Sequence, residues 1–200
     1  MCKVIAICNQ KGGVSKTTTT ANLGVGLVRA GKKVLVIDAD PQGNLSQSLG
    51  IENPDELEVA LPSIMEQIIM DKEVDVTKGI IHHKEGLDFM PCNIDLSGVD
   101  VSLVNAMSRE FVLKTYVESM REFYDYILID CMLSLGMITV NSLTASDSVL
   151  IPVQAAYLPV KELEQLIMRI IHSKSLFYWF ILKVFDIQMV NSLFVYETVG

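Results

Sequence analysis

Short apolar runs alternate along the chain with longer segments that have the composition of helices. The runs lie at residues 4–8, 34–37, 87–90, 126–129 and 149–153. Strands that are apolar on both faces must be covered on both faces, and parallel strands need crossover connections that are usually helical. The pattern therefore predicts an α/β fold with a doubly wound, mostly parallel sheet flanked by helices.

Three of the connecting segments carry recognisable helix signals. Residues 16–30 form the predicted first crossover helix, Pro62 fits the first turn of another, and residues 110–123 form a third. Gly24 and Gly26 lower the helix propensity of the first, so we expect them to allow close packing against the sheet. An alternative interpretation treats these glycines as part of a dinucleotide fingerprint, but they lie inside the helix and the third glycine is missing.

Composition and charge narrow the range of partners. The 16 basic and 24 acidic residues give a net charge of −8, so any contact with DNA requires a local basic patch. The residues before the first apolar run are too few for a signal peptide, and that run is too short for a membrane span. We therefore expect a cytoplasmic protein with no membrane partner.

The cysteines and histidines do not form an obvious metal site. There is no C-x-x-C pair and no histidine at metal-ligand spacing from a cysteine. His82 and His83 are paired in a predicted loop but lack cysteine or carboxylate partners. We expect neither zinc nor a disulfide framework. The residues interpreted as reduced, mostly core thiols are Cys2, Cys8, Cys92 and Cys131.

The turn between the first strand and the first helix has the features of a phosphate-binding loop. Successive backbone N–H groups and the helix N-terminus point into one concavity, where an anion fits. Lys16 supplies a positive charge for the β and γ phosphates of ATP, and the Thr17 hydroxyl can bind Mg²⁺. Gln10 and Ser15 stand at the two glycine positions of the strict pattern G-x-x-x-x-G-K-[ST]. The predicted nucleotide-binding residues are Lys11, Gly12, Gly13, Val14, Ser15, Lys16, Thr17 and Thr18.

Carboxylates stand at the ends of two other predicted strands. Asp38 and Asp40 follow the second strand, and Asp130 follows the fourth. Phosphoryl transfer depends on positioning and on charge stabilisation around Mg²⁺, and carboxylates suit both tasks. Such carboxylates are also ordinary capping or surface residues, and a tight strand–helix turn need not bind a ligand. Each motif alone leaves both interpretations open.

Residues 9–19, NQKGGVSKTTT, resemble the deviant Walker A motif of the ParA, Soj and MinD group of ATPases. That motif has two lysines, matched here by Lys11 and Lys16. The resemblance implies the fold of a P-loop NTPase. It also implies that Lys11 reaches across a dimer interface to the nucleotide of the partner subunit, so that ATP holds a homodimer together.

Two further stretches resemble motifs of the same family. Residues 34–44 resemble its strand and switch I motif, which implies that Asp40 positions or activates the attacking water and that Asp38 lies near the metal's outer shell. Residues 126–130 resemble a Walker B strand, which implies that Asp130 holds Mg²⁺ through water. By this resemblance the catalytic residues are Lys11, Lys16 and Asp40, and the metal-binding residues are Thr17, Asp38 and Asp130.

The resemblance stops before the end of the chain. Leu133 stands where family members often carry a proline, which implies a looser switch II, and a softer match continues through residues 145–165. We therefore predict a ParA-like P-loop ATPase domain at residues 1–166 and a divergent C-terminal tail of uncertain order at residues 167–200. A truncated or frameshifted reading frame is the preferred explanation of that tail.

The leading hypothesis is an ATP-dependent dimerisation switch that hydrolyses ATP for plasmid or chromosome partition. It implies a homodimer with ATP and Mg²⁺, a ParB-type centromere-binding partner and a nucleoid-associated location, although the acidic composition disfavours nonspecific DNA binding. One alternative is a MinD-like membrane-positioning ATPase, but residues 187–200 contain no lysine or arginine for a membrane surface. The others are a metal-cluster carrier or reductase that uses Cys131, and a truncated nucleotide-binding fragment that does not hydrolyse ATP.

Overall fold

Strands and helices alternate in the computed structural model much as the hydrophobic pattern predicts. The structure describes residues 1–134 and 136–152, together with the backbone of residues 185–190 and 193–198. The strands are β1 (Lys3–Ile7), β2 (Val34–Ala39), β3 (Ile81–His82), β4 (Asp88–Met90), β5 (Tyr126–Cys131), β6 (Ser148–Pro152), β7 (Phe185–Val190) and β8 (Leu193–Thr198). The α-helices within these described ranges are α1 (Lys16–Arg29), α2 (Asn44–Ser48), α3 (Leu61–Ile69), α4 (Leu96–Leu103), α5 (Val112–Met120) and α6 (Met137–Ala145).

The described strands form one sheet in the order β3-β4-β2-β5-β1-β6-β8-β7. Neighbouring strands from β4 to β6 run parallel, whereas β3, β8 and β7 pair antiparallel with their neighbours. The predicted doubly wound, mostly parallel α/β fold is confirmed. Because β1 lies between β5 and β6, the chain builds one side of the sheet before the other. This change of direction places a crevice at the carboxyl ends of the central strands.

The register of the central strands brings two aspartates side by side. Asp130 of β5 is the Cα partner of Ile7 on one side and of Asp38 on the other. Both aspartates lie within strands, whereas the sequence predicts that the strands end just before them. The backbone pairing continues beyond the apolar runs, as far as Ala39 and Cys131, because ladder hydrogen bonds do not depend on the side chain.

Helices cover both faces of the sheet and bury alternate residues of each strand. On one face, Leu35 and Ile129 lie in a cluster with side chains of α3, α4, α5 and α6. On the other face, Val36 and Leu128 pack with partly buried residues of α1. All four are completely buried, which contributes about 1.5–3 kcal/mol each relative to exposure. Burial on both faces explains why these strands are continuous apolar runs in the sequence.

The two glycines of α1 have different surroundings. A Cβ at Gly24 would lie 3.1 Å from Val36 Cγ2 and 3.3 Å from Leu87 Cδ2, so the missing side chain allows the helix to approach the sheet. The expectation is confirmed at this position. A Cβ at Gly26 would meet nothing within 4 Å, and Gly26 is exposed. The same expectation is therefore wrong for Gly26.

Several elements are not predicted from the sequence, namely α2, α4, α6, β3 and the pair β7 and β8. Strand β8 pairs with β6, with Val195 opposite Leu150, inside the segment predicted to be a divergent tail. The boundary at residue 166 stays a prediction, because residues 153–184 lie outside the described part of the chain. No helix among the described residues is long and apolar enough to cross a membrane.

Candidate nucleotide-binding site

The loop between β1 and α1 is shaped by two left-handed residues. Gly13 has φ 72° and Ser15 has φ 63°. This conformation costs a non-glycine residue about 1–2 kcal/mol, so Ser15 stores strain at the position where the strict motif has a second glycine. Asn9 holds the base of the loop, since its side chain donates to Pro152 O at 2.7 Å and accepts from Lys11 N at 3.0 Å.

The N-terminus of α1 is open toward this loop. The Ser15 side chain makes no capping hydrogen bond, and the first turn carries no acidic residue. Lys16, the first helical residue, is only 9% exposed, so its charge is held close to the protein surface instead of extending into solvent. Backbone N–H groups of a first turn that have no side-chain cap attract an anion, and the helix dipole adds to this attraction.

Asp130 lies beside the start of α1 and is tied to it by two threonines. Thr17 Oγ1 donates to Asp130 Oδ2 at 2.8 Å, and Thr20 Oγ1 lies 3.3 Å from Asp130 Oδ1. Thr20 also donates to Lys16 O at 3.0 Å. The structure therefore brings together three residues that the sequence predicts for the site: Lys16, Thr17 and Asp130. Thr20 is missed, although its spacing from Lys16 places both on one helix face.

The environment of Asp130 favours its neutral form in the absence of a cation. Burial raises the pKa of its carboxyl to about 7, and the nearby charge of Asp38 adds to the increase. Hydrogen bonds from Thr17 and Thr20 and the charge of Lys16 act in the opposite direction. A divalent cation would restore the ionised form, and a hydroxyl beside a carboxylate is an all-oxygen donor set of the kind that Mg²⁺ prefers. The residues present therefore fit Mg²⁺.

Asp38 makes a different set of contacts from Asp130. Its Oδ2 accepts hydrogen bonds from Ser46 N at 2.9 Å and from Ser46 Oγ at 2.7 Å, and its Oδ1 accepts one from Asp40 N at 3.2 Å. Ser46 Oγ in turn accepts from Cys92 N at 3.0 Å. Burial raises the pKa of Asp38 to about 6, although these hydrogen bonds oppose the increase. The observed contacts place Asp38 as an anchor for the segment that follows β2, and its role near a metal stays a prediction.

Asp40 and Lys11 both follow the carboxyl ends of parallel strands, β2 and β1 respectively, at the same edge of the sheet. Asp40 is partly exposed, and its Oδ1 accepts a hydrogen bond from Gln42 N at 3.0 Å in the turn that follows β2. The turn is completed by Gly43, whose φ is 62° and whose N–H donates to Asp40 O at 2.9 Å. Lys11 is also partly exposed. Both residues are partly exposed to solvent, and their catalytic roles stay predictions.

The segment after Asp130 begins close to the phosphate-binding loop. A Cβ at Gly12 would lie 4.0 Å from Leu133 Cδ1, and Leu133 itself is 46% exposed. The start of α6 is closed by a carboxylate, because Asp100 Oδ1 accepts a hydrogen bond from Ile138 N at 3.0 Å. The first turn of α6 thus has an internal anion, whereas the first turn of α1 carries no acidic residue.

A model of the family described as an AAA domain matches residues 2–177. The sequence is 48% identical over 171 residues to the sporulation initiation inhibitor protein Soj of Bacillus subtilis. The chain belongs to the ParA and Soj family of P-loop proteins. The aligned part is 84% of this chain and 64% of Soj.

Two other relatives support the same assignment. The chromosome partitioning protein ParA of Caulobacter vibrioides is 41% identical over 166 residues, which is 82% of this chain and 60% of that protein. The structure of cobyrinic acid a,c-diamide synthase from Mycobacterium smegmatis with bound ADP and magnesium has a TM-score of 0.81 at 37% identity, covering 88% of this chain and 69% of that chain. The chain therefore spans less than two thirds of the length of the curated relatives named here.

The histidines and cysteines of this family member do not gather into a metal centre. Within residues 1–134 and 136–152, no group of three or more histidine, cysteine or acidic side chains could hold an ion. His82 lies in β3, not in the predicted loop, and its Nδ1 lies 2.6 Å from Asp88 Oδ1, so the expectation that it lacks a carboxylate partner is wrong. The cysteines with described surroundings are free and buried.

Proposed function

We propose that this chain binds ATP with Mg²⁺ and acts as an ATP-dependent dimerisation switch that hydrolyses ATP in plasmid or chromosome partition. One observation carries the proposal: the open N-terminus of α1, with Lys16 held against the protein, lies next to a buried carboxylate bonded to Thr17. An anion and a divalent cation can be bound there side by side. Mg·ATP is a ligand that presents both.

The proposed binding mode follows from the position of each side chain. The backbone N–H groups of residues 12–17 surround the phosphates, and Lys16 neutralises their charge. Thr17 and Asp130 would hold Mg²⁺, which supplies charge stabilisation at the phosphates. Thr20 keeps Asp130 oriented when Thr17 turns its hydroxyl toward the metal. Asp40, which is partly exposed and directly follows β2, would orient a water molecule for attack on the γ phosphate.

The dimer and the further partners are proposals by relationship to the family. Lys11 is proposed to contact the nucleotide of a second copy of this chain, which makes ATP a condition for dimerisation. A ParB-type protein is the proposed partner that stimulates hydrolysis, in a cytoplasmic, nucleoid-associated setting. The net charge of −8 means that DNA binding would depend on a local basic surface of the dimer.

Titration of a fluorescent ATP analogue with and without Mg²⁺ tests the proposed site. The Lys16→Ala variant should lose binding by at least about 100-fold, because a buried cation that faces phosphate contributes roughly 3 kcal/mol. Lys32→Ala is the matched control, since Lys32 is exposed just after α1. Equal affinity of the Lys16 and Lys32 variants would rule out the proposed phosphate contact.

The short length of the chain relative to Soj and ParA keeps one alternative in view, a fragment that binds ATP without hydrolysing it. Measurement of phosphate release by wild-type protein in excess over ATP separates the two. Turnover that depends on Asp40 supports the switch, whereas tight binding without phosphate release supports the fragment.

A further inference from the structure

Two cysteines meet at the base of the site. Cys8 directly follows β1 and precedes the phosphate-binding loop, whereas Cys131 is the last residue of β5 and directly follows Asp130. Ile7 and Asp130 are Cα partners, so the residues that follow them are neighbours on adjacent parallel strands. The Cys8 thiol donates to Cys131 Sγ at a sulfur–sulfur distance of 2.6 Å.

Both sulfurs belong to the core and have no role in the proposed nucleotide chemistry. Cys8 is 2% exposed and Cys131 is 1% exposed. Burial raises the pKa of Cys8 well above its ordinary value, so Cys8 remains a thiol at neutral pH. Because both sulfurs are shielded from solvent, the pair reacts only on long exposure to a small oxidant that can enter the core.

Oxidation of a single sulfur at this place would be destructive. A sulfinic acid at Cys131 would place an unpaired negative charge in the core, since Cys131 is 1% exposed. That product is also irreversible without a dedicated repair enzyme. A second thiol in contact with the first can intercept the reaction at the earlier sulfenic acid stage.

We propose that Cys8 and Cys131 are a redox pair, in which each thiol resolves the sulfenic acid of the other and hydrogen peroxide therefore produces a reversible disulfide. One sulfur attacks peroxide, the O–O bond breaks, and a sulfenic acid and one water form. The other sulfur then attacks the sulfenic sulfur, the S–O bond breaks, and the thiol proton leaves with the hydroxyl as a second water. The pair loses two electrons and peroxide gains them.

The fold already holds the two residues in a suitable arrangement. Neighbouring strands lie about 4.8 Å apart, within the range of Cα separations that disulfides span. The two sulfur atoms are in direct contact, as formation of a bond of about 2.05 Å between them requires. The link would join the bases of the phosphate-binding loop and of the segment that follows β5 without separating the strands.

The test uses the full chain, treated with hydrogen peroxide for several hours and then alkylated under denaturing conditions. Peptide mapping without reductant should show a cross-linked pair of peptides containing Cys8 and Cys131, lighter by two hydrogens, and dithiothreitol should reverse the link. In the Cys8→Ala variant, Cys131 should instead accumulate sulfinic and sulfonic acid that dithiothreitol does not remove. Cys8→Val is a second variant of the same design, in case the smaller side chain destabilises the core.

Cys2→Ala is the matched control, because Cys2 is a buried thiol away from this pair, with Arg121 donating to its backbone oxygen. It should form the same link as wild type. Failure of wild type to form the Cys8–Cys131 link, or equal overoxidation of Cys131 in wild type and both Cys8 variants, would overturn the proposal.

A melting experiment gives an independent measurement that does not depend on ATP binding. The oxidised wild-type protein should melt roughly 5 °C or more above the reduced protein, since the link closes a long loop of the unfolded chain without distorting the native strands. The Cys2→Ala control should show the same increase, and Cys8→Ala should show none. An unchanged or lower melting temperature of the oxidised wild type would contradict the arrangement described here.

Discussion

The N-termini of α1 and α6 occupy equivalent places in the fold but have different chemistry. Each helix follows a central parallel strand and begins at the same edge of the sheet. At α6, Asp100 accepts a hydrogen bond from Ile138 N, and a Cβ at Gly136 would lie 2.8 Å from Asp100 Oδ2. At α1, Ser15 makes no capping bond and Lys16 lies alongside the first turn.

The difference shows what converts a helix start into a ligand site. Both helices supply a positive dipole end and unpaired N–H groups, as every helix does. The α6 end has an internal anion and is therefore satisfied by the protein itself. The α1 end has a cation in place of that anion, so its donors are available to a phosphate group.

A carboxylate introduced at the N-terminus of α1 should make its backbone N–H groups as unavailable to phosphate as those of α6. Ser15→Asp places an anion at the N-cap of α1, and aspartate tolerates the left-handed conformation of this residue. ATP affinity should fall by about 100-fold, or 2–3 kcal/mol, because the carboxylate takes up the donors and repels phosphate. Isothermal titration with Mg·ATP measures the change. Ser15→Asn, which has the same shape without the charge, should lose less than about 5-fold, and an equal loss in both variants would show that charge is not the cause.

The pH dependence of stability should reveal the ionisation of Asp130, the carboxylate beside the N-terminus of α1. Asp130 has its pKa raised to about 7, above the value of about 3.9 in an unfolded chain. The folded state therefore holds more protons between these values, and through this group the free energy of unfolding of the metal-free protein should fall by roughly 3 kcal/mol as pH rises from 4 to 7. Stabilisation by Mg·ATP should increase over the upper part of that range, because the metal requires the ionised carboxylate.

Urea denaturation of wild type and Asp130→Asn at several pH values measures this effect. In Asp130→Asn, the decrease in the free energy of unfolding between pH 4 and 7 should be much smaller than in wild type. Some decrease should remain, because the pKa of Asp38 is also raised, to about 6. Asp71→Asn is the control, since Asp71 is exposed. Identical pH profiles for wild type and Asp130→Asn would mean that Asp130 does not titrate in this range.

Removal of the internal anion at α6 should affect stability alone. Asp100→Ala leaves Ile138 N without its acceptor and should lower the free energy of unfolding by about 1–2 kcal/mol, as the loss of a helix cap does. Urea denaturation measures this loss. ATP affinity should stay within about 2-fold of wild type. A loss of affinity as large as that of Ser15→Asp would show that the N-terminus of α6 also contributes to ATP binding.

The smallest expected effects are those of substitutions at the two glycines of α1, which test how this helix packs against the sheet. Gly24→Ala should destabilise the protein by about 1 kcal/mol, because its Cβ would crowd Val36 and Leu87. Gly26 lies on the opposite face of α1 and is exposed, so Gly26→Ala should stabilise the protein by about 0.5–1 kcal/mol through helix propensity. Thermal melting of the two variants measures both changes. A change of the same sign in both would mean that contact with the sheet is not what distinguishes them.

Much of the fold could be predicted from the sequence because buried parallel strands are continuous apolar runs. Helices such as α1 and α5 were also predicted, with ends that differ from the prediction by at most three residues. The shorter α2 and α4 were missed, and so was α6, which buries residues around most of its circumference and therefore lacks a clear amphipathic period. Strand β3 contains two residues, too few for any pattern.

The sequence by itself determined the phosphate-binding loop, because its glycines, lysines and threonines are adjacent in the chain and their spacing is set by local backbone geometry. It also supplied the carboxylates as candidates. Whether a given carboxylate reaches the loop was decided only by the tertiary structure, since Asp130 lies 113 residues from Thr17 and meets it through the pairing of β5 with β1.

The same long-range pairing decided the roles of residues that no local pattern marks. The pairing of β5 with β1 brought Cys8 into contact with Cys131, and the packing of α4 against α6 placed Asp100 at the start of α6. The geometry of a local motif is set by the spacing of its residues along the chain. Contacts between distant residues depend on strand order and register, which the burial of the whole sheet selects and no single segment encodes.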